Sequence, residues 1–123
     1  MKIMLVDDSR TMRNIQRSAL AEMGETNVVE ACDGQDALSK VKGEAPDLIM
    51  LDWNIPNMDG LSFLKAFRAE NKVTTVIMVT TEAEKTRVIE AIKNGVNNYI
   101  VKPFTPDLYR QRITETLAKR KAG

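Results

Sequence analysis

The sequence predicts an α/β fold, a doubly wound, five-stranded parallel sheet built from five successive βα units. Three observations predict it. Short, wholly apolar or β-branched runs recur five times along 123 residues, each is followed by a helical pattern, and the connections are short. Continuous apolar runs, in place of alternating ones, mark strands buried on both faces, and a parallel crossover needs a helix.

The first run, Ile3 to Val6, leads into Met12, Ile15, Ala19, Leu20 and Met23, one helical stripe that Gly24 can stop in a left-handed conformation. The second, Val28-Val29, precedes a short helix carrying Ala37, Leu38 and Val41. The third, Leu48 to Leu51, leads to Leu61, Leu64 and Phe67, and the fourth, Val76 to Val79, to Val88, Ile89, Ile92 and Val96 with Gly95 near the end. The fifth, Tyr99 to Val101, is followed by Thr105-Pro106-Asp107, which read as N-cap, first-turn proline and first-turn acid. Tyr109, Ile113 and Leu117 form the stripe of this last helix, and Lys119-Arg120-Lys121 complement its dipole.

A chain of 123 residues lies well below the ~250 at which cores split, so residues 1–123 are read as one domain with no second module attached. With 43% apolar and 28% charged residues it can fill and solvate one core, which excludes disorder. Eighteen Lys and Arg against 17 Asp and Glu leave +1, so nucleic-acid binding has no global electrostatic support. Cys32 is the only cysteine and there is no His, which excludes an internal disulfide and a zinc site of either ligand type. No stretch approaches the ~20 apolar residues a membrane span requires, and the opening run meets Asp7 too soon for a signal peptide. The expectation is a cytoplasmic monomer with no membrane insertion.

In an open parallel sheet, ligands sit beyond the carboxyl ends of the strands. There the sequence places Asp7 and Asp8, Asp52, Thr80 and Thr81, and Lys102 with Pro103. Each has a plain structural reading: acids at a helix start, a Thr81-to-Glu84 capping box, a solvated lysine. Together they are harder to dismiss, because two unit charges ~5 Å apart repel by ~3 kcal/mol at an effective dielectric of 20. Three gathered carboxylates must either take up protons or be neutralised by a cation. A hard ion with oxygen ligands, Mg²⁺, suits such a site and shares its coordination with phosphoryl oxygens.

These residues resemble the receiver domain of two-component response regulators. The resemblance rests on Asp7-Asp8, Asp52-Trp53-Asn54-Ile55-Pro56-Asn57-Met58-Asp59-Gly60, Thr80, and Tyr99-Ile100-Val101-Lys102-Pro103-Phe104, in order along the whole chain. Ser9-Arg10-Thr11-Met12-Arg13, Asp52-Trp53-Asn54 and Lys102-Pro103-Phe104-Thr105 are similar, more narrowly, to the stand-alone receivers of chemotaxis. The resemblance implies the flavodoxin-like (βα)5 fold, with Asp52 as phosphorylation site and Asp7, Asp8, Asp52 and the Asn54 main-chain carbonyl around Mg²⁺. It makes Lys102 the partner of the acyl phosphate, Thr80 the switch hydroxyl and Tyr99 the aromatic that follows it. Asn54, Thr81 and Glu82 would tune hydrolysis, and the Lys102-Pro103 bond would be cis. The implied partners are a CheA-like sensor histidine kinase, the flagellar motor switch protein and a phosphatase. Output would pass through a surface around the fourth helix, fifth strand and fifth helix.

Three other functions compete. A receiver could serve as a phosphate shuttle or sink in a phosphorelay. An Asp-nucleophile phosphohydrolase shares the metal, aspartate and lysine, but usually needs an acid where Asn54 stands. A flavodoxin-like cofactor binder would meet repulsion between its phosphate and Asp7-Asp8.

Overall fold

The computed structural model describes residues 1–122, with side chains to residue 120. Five strands alternate with five helices: β1 (Ile3–Val6), α1 (Arg10–Glu22), β2 (Val28–Ala31), α2 (Gly34–Glu44), β3 (Leu48–Leu51), α3 (Gly60–Glu70), β4 (Thr75–Thr80), α4 (Lys85–Lys93), β5 (Asn98–Val101) and α5 (Pro106–Ala122). All pairings are parallel, in the order β2-β1-β3-β4-β5. Each apolar run is a strand, and β1, β3 and β4 are buried along their whole length.

Alternate residues of the central strands feed two cores. Met4, Val6, Ile49, Leu51, Val76 and Met78 meet Val41, Phe63, Leu64, Phe67 and Ala91 from α2, α3 and α4. Ile3, Leu5, Leu48, Met50, Ile77 and Val79 meet Ala19 and Leu20 of α1 and Tyr109 and Ile113 of α5 on the other face. The chain therefore changes face between α1 and α2, and the crevice at that change opens between the carboxyl ends of β1 and β3. Asp7 and Asp52 immediately follow those two ends.

Two helical stripes differ from expectation. In α1, Ile15 is 42% exposed while Gln16 is buried, its Oε1 accepting from the Tyr109 hydroxyl at 2.8 Å. A polar residue faces the core there because α5 supplies its hydrogen bond. In α4, Ala91 is the residue fully against the sheet, whereas Ile89 and Ile92 are 41% and 55% exposed. The Thr81-to-Glu84 capping box does not form: α4 starts at Lys85, and Glu84 is its N-cap without a side-chain bond.

The other stops hold. Gly24 and Gly95 have positive φ, and Thr105 Oγ1 accepts from the Leu108 amide at 3.1 Å to cap α5, with Pro106 its first residue. At the far end of α5, Arg120 donates to the Val73 carbonyl, while the Lys121 side chain lies outside the described residues. No helix among the described residues is long and apolar enough to cross a membrane.

Candidate functional site

The site forms where β1, β3, β4 and β5 end on one rim. Asp7 is 1% exposed and Asp52 6%, whereas Asp8 is open to solvent. One carboxylate oxygen from each of the three lies within 4.8 Å of the others. Lys102 follows β5 and reaches across β4 and β3, its Nζ 2.7 Å from Asp7 Oδ2 and 2.8 Å from Asp52 Oδ2. Sequence separations of 95 and 50 residues collapse to hydrogen-bond distance because parallel strands deliver their ends to one edge.

Neither aspartate after β1 serves as a helix cap. Ser9 does that, its Oγ accepting from the Met12 amide, and its own amide donates to Asp7 Oδ1 at 2.9 Å. Arg13, one turn into α1, donates to the Asp7 carbonyl and pairs with Glu30, which also receives Arg17. The Asp7-Asp8 turn is thus pinned at both the Asp7 carboxylate and the Asp7 carbonyl. At β3, Asp52 Oδ1 accepts from the Asn54 amide at 3.2 Å.

Electrostatics follow from this geometry. Burial raises the pKa of Asp7, against the opposing hydrogen bonds from Lys102 and Ser9. Burial pulls the Lys102 ammonium down, but its bonds to Asp52 and Asp7 outweigh that and raise its pKa overall. The cation is therefore held charged between two buried acids.

The remaining predicted residues surround this centre. Thr80, at the end of β4, is fully buried, and its Oγ1 accepts from the Glu82 amide at 3.4 Å. Tyr99 is half-buried, with its hydroxyl donating to the Glu82 carbonyl at 2.6 Å. Asn54 Nδ2 donates to Glu82 Oε1 at 3.2 Å and to Thr81 Oγ1 at 3.5 Å, so the three residues expected to act on hydrolysis touch one another. Thr81 is exposed at this edge. Trp53 is buried beside Asp52, with the Arg87 guanidinium 5.2 Å from its ring centroid. The Lys102-Pro103 peptide bond is cis.

Two glycines packed against the loop between β3 and α3 were not among the expected site residues, although Gly60 ends the motif that carries the resemblance. Gly60 opens α3 directly beneath the Asp52 main chain, where an added Cβ would stand 2.2 Å from the Asp52 carbonyl oxygen. Gly34 opens α2 against the Met58 carbonyl in the same way, at 1.9 Å. Both follow an N-cap aspartate, Asp59 and Asp33. Glycine at a helix's first position, where its low propensity argues against it, is the signal that could have found them.

Both tyrosines are withdrawn from ordinary titration. Burial, with the charges of Glu82 and Asp52, pushes Tyr99 up to about 12, and burial alone raises Tyr109. Native protein is therefore expected to show no tyrosinate absorbance as pH passes 10.0, the ordinary value, while the unfolded chain shows two ionisations there. Because the folded state keeps protons the unfolded state releases, stability falls as pH rises above that value. A near-ultraviolet titration in buffer and in denaturant checks this; a native ionisation at the ordinary value would contradict the burial of both hydroxyls.

Against known proteins, a family model described as the response regulator receiver domain matches residues 3–114. The chain is 45% identical over 120 residues to chemotaxis protein CheY1 of Helicobacter pylori, covering 95% of this chain and 97% of that one. It is 46% identical to a CheY homolog of Campylobacter jejuni, covering 95% and 92%. Among solved structures it superposes on chemotaxis response regulator CheY4 of Vibrio cholerae with a TM-score of 0.86 at 32% identity, over 94% of this chain and 97% of that one. A CheY-like receiver domain from Methanospirillum hungatei gives a TM-score of 0.89 at 26% identity, over 98% and 96%.

Proposed function

Because this chain belongs to the response regulator receiver domain family and is of the CheY type, we propose that it is a phosphorylation-driven chemotaxis switch in which Asp52 accepts the phosphoryl group. The observation that carries this is the bridging of Asp7 and Asp52 by Lys102, with Asp8 completing a three-carboxylate cluster.

The donor set fits Mg²⁺, since every candidate ligand is an oxygen and the exposed Asp8 leaves room for retained waters. Asp7, Asp8, Asp52 and the Asn54 carbonyl would hold it. When bound, the ion offsets charge on carboxylate and phosphoryl oxygens.

A carboxylate is a weak nucleophile, so positioning and electrostatics must do the work. Asp52 is fixed through both oxygens, Oδ1 by the Asn54 amide and Oδ2 by Lys102. As its oxygen bonds phosphorus, the phosphorus–nitrogen bond of a kinase phosphohistidine breaks and the imidazole leaves. The chain has no His and cannot itself be that donor. Lys102 stays charged beside the growing negative charge. Asn54 and Glu82, already bonded to each other, stand where they can order the water that later clears the acyl phosphate.

Switching follows from a shared loop. The Thr80 hydroxyl and the Tyr99 hydroxyl both bond main-chain atoms of Glu82. If the Thr80 hydroxyl turns to donate to a phosphoryl oxygen, the Glu82 segment must adjust, and Tyr99 with it. Ile89 and Ile92 of α4, and Val101 two residues beyond Tyr99 in β5, are exposed apolar side chains suited to a partner. We assign the flagellar motor switch as that partner, a CheA-like kinase as donor, and a phosphatase as an aid to clearance, by the relatives' role in chemotaxis.

Intact mass after incubation with Mg²⁺ and acetyl phosphate or phosphoramidate tests the core of this reading. One phosphoryl adduct is expected, lost in Asp52→Asn and lost with EDTA. An adduct that persists in Asp52→Asn would place the acceptor elsewhere, and no adduct with either donor would remove the phosphoryl switch.

A further inference from the structure

At the opposite end of the sheet from the acidic rim, α3 and the turn between α4 and β5 enclose a groove of about 550 Å³. Its lining carries Lys65, Arg68, Lys72 and Lys93, beside Asn94 and Asn97, and no carboxylate. In a chain whose net charge is +1, four cations around one concavity are a strong local imbalance. On the neighbouring helix α2, by contrast, Lys40 pairs with Asp36 and Lys42 with Glu70. Lys65, Lys72 and Lys93 make no ion pair among the described residues.

Arg68 forms the floor. Its Nε and Nη2 donate to the Gly95 carbonyl at 3.1 and 2.8 Å, and its Nη1 to the Asn71 carbonyl at 3.1 Å. The Asn97 side-chain oxygen accepts from Nη2 and from the Val76 amide, locking the guanidinium to β4. It is held by neutral acceptors alone, so its charge is uncompensated where it is half-buried. Burial and the neighbouring charge of Arg120 lower its pKa, as expected of a cation among cations.

A fixed guanidinium beneath three exposed lysines presents many donors and no acceptor charge. The complement is a compact anion with many oxygens. The volume suits a small molecule, and the lining has no aromatic ring on which a nucleobase could stack. We propose that this groove is a binding site for a small polyphosphate anion, held by Lys65, Lys72 and Lys93 over Arg68. The site is separate from Asp52 and stands whether or not Asp52 is phosphorylated.

Calorimetric titration of the whole chain with tripolyphosphate, at about 0.15 M salt to screen diffuse attraction, tests it. Two triple variants are compared, each losing the same charge: Lys65→Gln, Lys72→Gln, Lys93→Gln in the groove, and Lys2→Gln, Lys40→Gln, Lys119→Gln outside it. Arg68 is left intact because it ties α3 to the turn between α4 and β5. The expected result is one saturable site, weakened at least about tenfold in the groove variant and less than about twofold in the other. Equal weakening in both, or no saturable binding, overturns the proposal. So does a glutamate-rich peptide of matched charge binding as tightly, which would assign the groove to an acidic protein segment instead.

Discussion

Lys102→Gln is expected to lower the unfolding free energy by about 3 kcal/mol near neutral pH and by much less near about pH 5. Among the described residues the lysine is the one cation within bonding distance of both Asp7 and Asp52, and its side chain is only 12% exposed. Gln preserves most of its length and a hydrogen-bond donor but removes the charge, leaving two buried acids facing each other. Burial already raises the Asp7 pKa while Lys102 opposes it, so removing Lys102 raises it further. The folded variant then binds a proton that the unfolded chain, near 3.8, has released. Its stability consequently falls as pH climbs through that interval, and the gap to wild type widens. Urea unfolding of both proteins at the two pH values, with EDTA present, measures it. A gap independent of pH would mean that the acids are not coupled through Lys102. Added Mg²⁺ should narrow the gap at neutral pH, because a divalent ion replaces the missing charge.

The parts of this molecule that were legible in the sequence are those fixed by burial and by strand direction. Ile3 to Val6, Leu48 to Leu51 and Val76 to Val79 are continuous apolar runs because both sheet faces are covered, and they became β1, β3 and the body of β4. Once the strands are parallel, Asp7, Asp52, Thr80 and Lys102 must share a rim, and they do. What escaped was decided by partners distant in sequence. Gln16 is buried because Tyr109, 93 residues away, donates to it, and no local period contains that bond. Ala91, not Ile92, meets the sheet, and α4 leaves its larger side chains, Ile89 and Ile92, exposed. Thr81 and Glu84 have capping-box spacing, yet α4 begins at Lys85 and Thr81 Oγ1 instead accepts from the Asn54 side-chain Nδ2. The cost of a Cβ at Gly34 or Gly60 depends on carbonyls that only the folded chain brings near.

That cost supports a second expectation: Gly60→Ala destabilises the protein by about 3 kcal/mol and slows phosphorylation of the folded remainder by about tenfold or more. An alanine Cβ would stand 2.2 Å from the Asp52 carbonyl oxygen and 2.8 Å from the Trp53 Cα. Both are main-chain atoms, so no side chain can swing aside. The Gly60 amide also donates to the Trp53 carbonyl at 2.9 Å, closing the loop that carries Asn54. Relief must therefore come from moving either the start of α3 or the backbone of Asp52 itself. Movement of Asp52 would alter its bonds to Lys102 and the Asn54 amide, and transfer that depends on alignment is sensitive to such displacement. Gly34→Ala separates the two effects. Its Cβ would meet the Met58 carbonyl at 1.9 Å, so it too should destabilise, but it presses on α2's neighbour and not on Asp52. Urea unfolding gives the stabilities, and adduct formation with acetyl phosphate is then followed where near-ultraviolet circular dichroism shows each variant folded. Equal phosphorylation by the two variants would mean that Gly60 serves packing alone; a selective loss in Gly60→Ala would make the opening glycine of α3 a positioning residue for Asp52, the proposed acceptor.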